Sequence, residues 1–110
     1  MGFDYEDDTR AVATTDWDGD GDLDVWTTNR TSPRIRLLRN DLPRENHFLQ
    51  LKLIGRTCNR DAIGAHVEVF LDPPNQQRLV QTLRAGEGFL TQQSKWLHFG
   101  LSSNITVHKV

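Results

Sequence analysis

Asp16-Trp17-Asp18-Gly19-Asp20-Gly21-Asp22-Leu23-Asp24 sets a carboxylate at every second position and a glycine at two of the positions between. A hard cation such as Ca²⁺ takes about six to eight oxygens at about 2.3–2.6 Å, and one tight loop commonly supplies them from alternate positions. Those positions here are Asp16, Asp18, Asp20, Asp22 and Asp24. By analogy with the helical calcium loop, Asp16, Asp18, Asp20 and Asp24 offer side-chain carboxylates and Asp22 its backbone carbonyl. Gly21 supplies the positive-φ turn that wraps the chain round the ion. A helix-loop-helix site would end on a bidentate Glu, and this sequence has Thr27 there. An acidic turn that binds nothing is the plainer alternative. Against it, neighbouring carboxylates about 4 Å apart repel by roughly 4 kcal/mol per pair at an effective dielectric near 20, so a ring of them favours a cation.

The flanks decide the fold class. Arg10-Ala-Val-Ala-Thr-Thr15 and Leu23-Asp-Val-Trp-Thr-Thr28 are β-branched and aromatic, without a 3.6-residue apolar period, so the loop joins two strands rather than two helices. Arg34-Ile-Arg-Leu-Leu-Arg-Asn40 reads as a third strand, stopped by Asn40-Asp-Leu-Pro43.

From His47 the texture changes. His47-Phe-Leu-Gln-Leu-Lys-Leu-Ile54 alternates, with Leu49, Leu51 and Leu53 on one face. A polar connection over 56–64 leads to a strand over 65–71, a turn at Asp72-Pro-Pro-Asn75 and a returning strand over 76–83. Two glycines within Arg84–Phe89 predict a bulge or crossing point. Short strands follow at Trp96–Phe99 and Ile105–Val110, separated by residues 100–104. The expected class is all-β, an antiparallel sandwich or open barrel preceded by a calcium-loop hairpin. The expected domains are an acidic disordered leader over 1–8, a hairpin unit over 9–46 and a β domain over 47–110.

The chain of 110 residues suits one small domain and a piece of another. Its net charge of −2 is unevenly spread: residues 1–24 hold nine acidic side chains against one basic, and residues 25–110 hold six against twelve. The dense cluster is acidic and the positive charge is dispersed, which argues against a nucleic-acid binder. Cys58 is the single cysteine, so neither an internal disulfide nor a C-x-x-C site is available. The first residues lack the basic start and apolar stretch of a signal peptide, and no apolar run is long enough to predict membrane insertion.

Other constellations are weaker. His47, His66, His98 and His108 fall on separate strands without zinc-site spacing. Ser94 and Ser102 lack a nucleophile-elbow setting, so no enzyme is expected. Arg34, Arg36, Arg39 and Arg44 read as solvated strand positions that offset the acidic front. Trp26, Trp96 and Phe89 read as core; Trp17, between two ligand positions, reads as exposed and able to stack on a sugar ring.

Val12 to Asn40, with its Asp loop and Leu37-Leu-Arg-Asn40, resembles the FG-GAP/VCBS blade of calcium-binding β-propellers. Asn46-His-Phe-Leu-Gln50, Cys58-Asn-Arg-Asp-Ala-Ile-Gly-Ala65, Gly88-Phe-Leu-Thr-Gln-Gln-Ser94 and Leu97-His-Phe-Gly-Leu101 resemble the ASPIC/UnbV domain that follows such propellers in cartilage-acidic-protein-like proteins. The resemblance implies an extracellular or cell-envelope, adhesion-type protein that is not an enzyme. It implies Ca²⁺ at Asp16, Asp18, Asp20, Asp22 and Asp24, and a protein or glycan ligand. Propellers have about 4–8 blades and this chain holds part of one. It is therefore expected to be a fragment, truncated within the second domain, whose remaining blades come from the parent protein or another chain. Asn59, Arg60, Asp61 and Gly64 match the family pattern, and structural work is expected of them.

Overall fold

The computed structural model describes residues 4–43, 45–72, 77–103 and 106–110. Among them the chain is all-β, with eight strands in antiparallel sheets that do not close into a barrel: β1 (Thr9–Thr15), β2 (Asp24–Asn29), β3 (Ile35–Leu38), β4 (His47–Lys52), β5 (His66–Leu71), β6 (Arg78–Thr82), β7 (Trp96–Ser102) and β8 (Val107–Lys109). They form three sheets, ordered β1-β2-β3, β4-β7 and β6-β5-β8. The chain divides into two compact units, Met1–Asp41 with Gly86–Gln93, and Leu42–Ala85 with Ser94–Val110.

In the first unit, β1 and β2 form a hairpin whose ladder closes at the Thr15↔Asp24 pair, and β3 adds to β2 from Val25↔Leu38 to Thr28↔Ile35. Ala11 is the buried hydrophobic residue of this unit among the described residues; Val12, Leu23, Ile35 and Leu90 are exposed. Polar contacts do much of the fixing. Asn29 is buried, its amide nitrogen donating to Asp7 Oδ2 at 3.0 Å and to the Pro33 carbonyl at 2.8 Å, while Thr9 Oγ1 donates to its oxygen at 3.0 Å. Arg36 forks onto the same Asp7 carboxylate and lies over the Tyr5 ring, 4.1 Å from its centroid. The acidic leader thus supplies a charge that holds β2 and β3. The Gly86–Gln93 segment belongs to this unit, and Thr14 Oγ1 donates to Gln93 Oε1 at 3.1 Å.

The second unit has the aliphatic core. β5 alternates so that Val67, Val69 and Leu71 are buried, and β7 does the same with Leu97, Phe99 and Leu101. Together with Leu83 these form one cluster, and Leu49 and Leu51 of β4, Leu53, Leu79 and Val107 pack on it. Both sheets of the unit turn an apolar face inward, which is the period-2 pattern of two layered sheets. Each such side chain removed from water contributes about 1.5–3 kcal/mol.

Residues 100–104 were expected to separate two strands, but β7 runs through Gly100 to Ser102. Gly100 occupies an outward position opposite Phe48, where no side chain is needed for the core. The Pro73-Pro74 part of the predicted hairpin turn, Arg44 and Ile105 lie outside the described residues. Among the described residues no helix is long and apolar enough to cross a membrane.

Candidate metal centre

The β1–β2 ladder holds the two ends of the acidic loop in register, so the residues after Thr15 must turn back within a few positions. Gly19 (φ 74°) and Gly21 (φ 94°) take left-handed conformations that side chains with a Cβ disfavour. With the backbone bent in this way, the loop folds its amides onto its own carboxylates. Asp16 Oδ1 accepts from the Asp20 amide at 2.9 Å and Oδ2 from the Gly21 amide at 3.1 Å; Asp20 Oδ1 accepts from the Asp22 amide at 2.9 Å.

Asp16, Asp18 and Asp20 converge, one carboxylate oxygen from each lying within 4.8 Å of the others. Among the described residues this is the group of three or more acidic, histidine or cysteine side chains close enough to share a metal ion. The Asp18 carboxyl is pushed above the ordinary carboxylate range, chiefly by desolvation and then by the charges of Asp20 and Asp24. Hard oxygens brought together in this way are compatible with a calcium or magnesium ion.

Asp22 and Asp24 stand outside this triad. Asp24 is 1% exposed, and both its oxygens are engaged by backbone: Oδ2 accepts from the Trp17 amide at 3.0 Å and Oδ1 from the Asn40 amide at 2.8 Å. It ties the start of the loop to the end of β3, and its negative charge reaches Asp18. Neither the Asn40 contact nor the Asp7–Asn29–Arg36 cluster was anticipated from sequence. Their only sequence signal is a polar residue directly after, or inside, a β-branched run.

Trp17 is 62% exposed and meets Trp26 edge-on, with ring centroids 5.1 Å apart. Trp96 and Phe89, expected in the core, are exposed instead. Lys52 lies 5.6 Å from the centroid of the Trp96 ring, and Phe48 stacks on His98. Two of the other histidines have everyday partners: His66 meets Thr82 and Glu68, and His108 meets Asp72. Arg39 pairs with Asp41.

Asn59, Asp61 and Gly64 have structural roles in the second unit. Asn59 clamps Ile63 from both sides, accepting from its amide at 2.7 Å and donating to its carbonyl at 3.0 Å. Asp61 pairs with Lys95, which holds its carboxyl below the usual range. Gly64 turns with φ 94°, its amide donating to the Leu83 carbonyl at 2.8 Å. A Cβ on Gly55 would collide with the Asn59 carbonyl oxygen, so the strand exit and the loop are fitted to each other.

Fold and site together define an all-β chain with an acidic hairpin loop ahead of a layered aliphatic domain. Residues 55–110 match the family model described as ASPIC and UnbV. The chain belongs to the ASPIC and UnbV family. Neither the curated proteins nor the solved structures contain a match to it.

Proposed function

We propose that this chain is a non-enzymatic, calcium-binding structural or interaction module, and that its Asp loop is part of an FG-GAP/VCBS-type blade. The observation that carries the reading is the convergence of Asp16, Asp18 and Asp20 on a loop whose backbone is already folded round their carboxylates. In the bound state those three side chains and the Asp22 carbonyl hold the ion, and Asp24 braces the loop while adding negative charge. Without a bidentate Glu, the affinity belongs at the weak end, with Kd about 10⁻⁴–10⁻³ M, suited to an extracellular or cell-envelope setting.

The sparse apolar core of the first unit supports a further part of the proposal, that remaining blades of a parent protein or another chain cover it. Nucleic acid and membrane insertion are not part of this reading. A second reading, calcium-dependent carbohydrate binding, is favoured by one observation: Trp17 projects from between two of the acidic residues and is largely exposed.

Thermal unfolding with and without calcium, beside a glycan array, tests both. Calcium at about ten times Kd stabilises by about 1.4 kcal/mol through mass action, enough to raise the melting temperature by several degrees. That rise without glycan capture supports the structural module. Calcium-dependent glycan capture lost in Trp17→Ala supports the second reading, and no calcium response contradicts both.

A further inference from the structure

The acidic loop contains two Asp-Gly steps, Asp18-Gly19 and Asp20-Gly21. Such a peptide can rearrange without an enzyme. The glycine nitrogen attacks the aspartate Cγ; a Cγ–N bond forms and a Cγ–O bond breaks. The amide hydrogen and the departing oxygen leave with a solvent proton as water, giving a cyclic imide. Water then adds back. Addition at Cγ restores aspartate, and addition at the other carbonyl leaves the main chain running through Cβ and Cγ as isoaspartate. Nothing is oxidised or reduced, and the composition is unchanged.

The two steps differ in the structure. Gly21 is buried, its nitrogen donates to Asp16 Oδ2 at 3.1 Å, and the Asp20 carboxylate before it accepts from the Asp22 amide. Both the attacking atom and the target are held. Asp18 and Gly19 are exposed; the Asp18 carboxylate takes a backbone hydrogen bond from Asp20, but the Gly19 amide is not among the loop amides that donate to a carboxylate, which are those of Trp17, Asp20, Gly21 and Asp22. Gly19 is also uncrowded, since a Cβ built there would meet nothing within 4 Å.

We propose that Asp18–Gly19 is a self-modification site at which the loop ages to isoaspartate, and that the Asp16–Gly21 hydrogen bond protects the second step. Isoaspartate adds one carbon to the main chain between Asp16 and Asp20 and relocates the carboxylate, so it dismantles the triad. Resting on the calcium reading, the inference adds that a bound ion slows the reaction by holding the Asp18 carboxylate in place.

The test incubates the full chain in neutral buffer made with heavy-oxygen water, with chelator or with millimolar calcium, and locates isoaspartate and label by peptide fragmentation. With chelator, Asp18 is expected to accumulate roughly tenfold more than Asp20, the factor one amide–carboxylate hydrogen bond is worth. Asp18→Glu should remove the signal at that position, and Asp16→Ala, by releasing the Gly21 amide, should raise it at Asp20. Equal accumulation at both steps, or none at Asp18, overturns the proposal. If Asp18 ages at the same rate with and without calcium, the self-modification site stands and the metal reading is what fails.

Discussion

At the residue scale, the loop separates two jobs that its uniform Asp spacing conceals. Asp18 is exposed and repelled by its neighbours, whereas Asp24 is buried and satisfied by two backbone amides. Their amide variants should therefore behave oppositely in chelator. Asp24→Asn puts a donor where an acceptor is needed and should cost about 1.5–3 kcal/mol by denaturant unfolding. Asp18→Asn should stabilise, because it removes a repelled charge. The same contrast sets a pH dependence. Asp18's raised carboxyl pKa means the metal-free fold binds that proton more tightly than the unfolded chain. Its contribution is full below the ordinary carboxylate pKa and is lost as pH rises through the folded value. Asp7 has the reverse sign: the Arg36 hydrogen bond lowers its pKa, so the stability it confers is present above the unfolded value and lost as pH falls through the folded one. Acid titration of the first unit should show that loss, and Asp7→Asn should abolish it.

At the element scale, alternation made β5 and β7 legible. Val67, Val69 and Leu71, and Leu97, Phe99 and Leu101, are inward by simple period 2, and they are the core that the structure contains. Phe99→Ala should cost about 3–5 kcal/mol in unfolding of the second unit. What failed is also physical. Gly100 looked like a strand end because glycine lacks packing surface, yet an outward position opposite Phe48 requires none. Trp96 and Phe89 read as core on hydrophobicity alone, although the strand parity of Trp96 against Leu97 already points it outward. The Asp24–Asn40 bond could not be read from the loop, since it depends on how β3 docks on β2, a tertiary relation that spacing does not encode.

At the scale of the whole molecule, composition and structure divide the chain in the same sense. The first unit is held by polar contacts among acidic and arginine side chains, and the second by an aliphatic cluster within the matched family segment. A ligand confined to the acidic loop should stabilise one unit and leave the other as it was. Amide hydrogen exchange should accordingly slow in β1 and β2 when calcium is added and stay unchanged in β5 and β7. Uniform protection of all four strands would speak against a loop-specific site.

The claim on which the functional account stands is that three side chains, not five, grip the ion. Calorimetric titration of calcium into the parent chain and into Asp16→Asn, Asp18→Asn and Asp22→Asn addresses it directly. The expected result is a weak single site that the first two substitutions largely abolish and the third leaves close to parent affinity; equal losses in all three variants, or no heat from the parent chain, would contradict it.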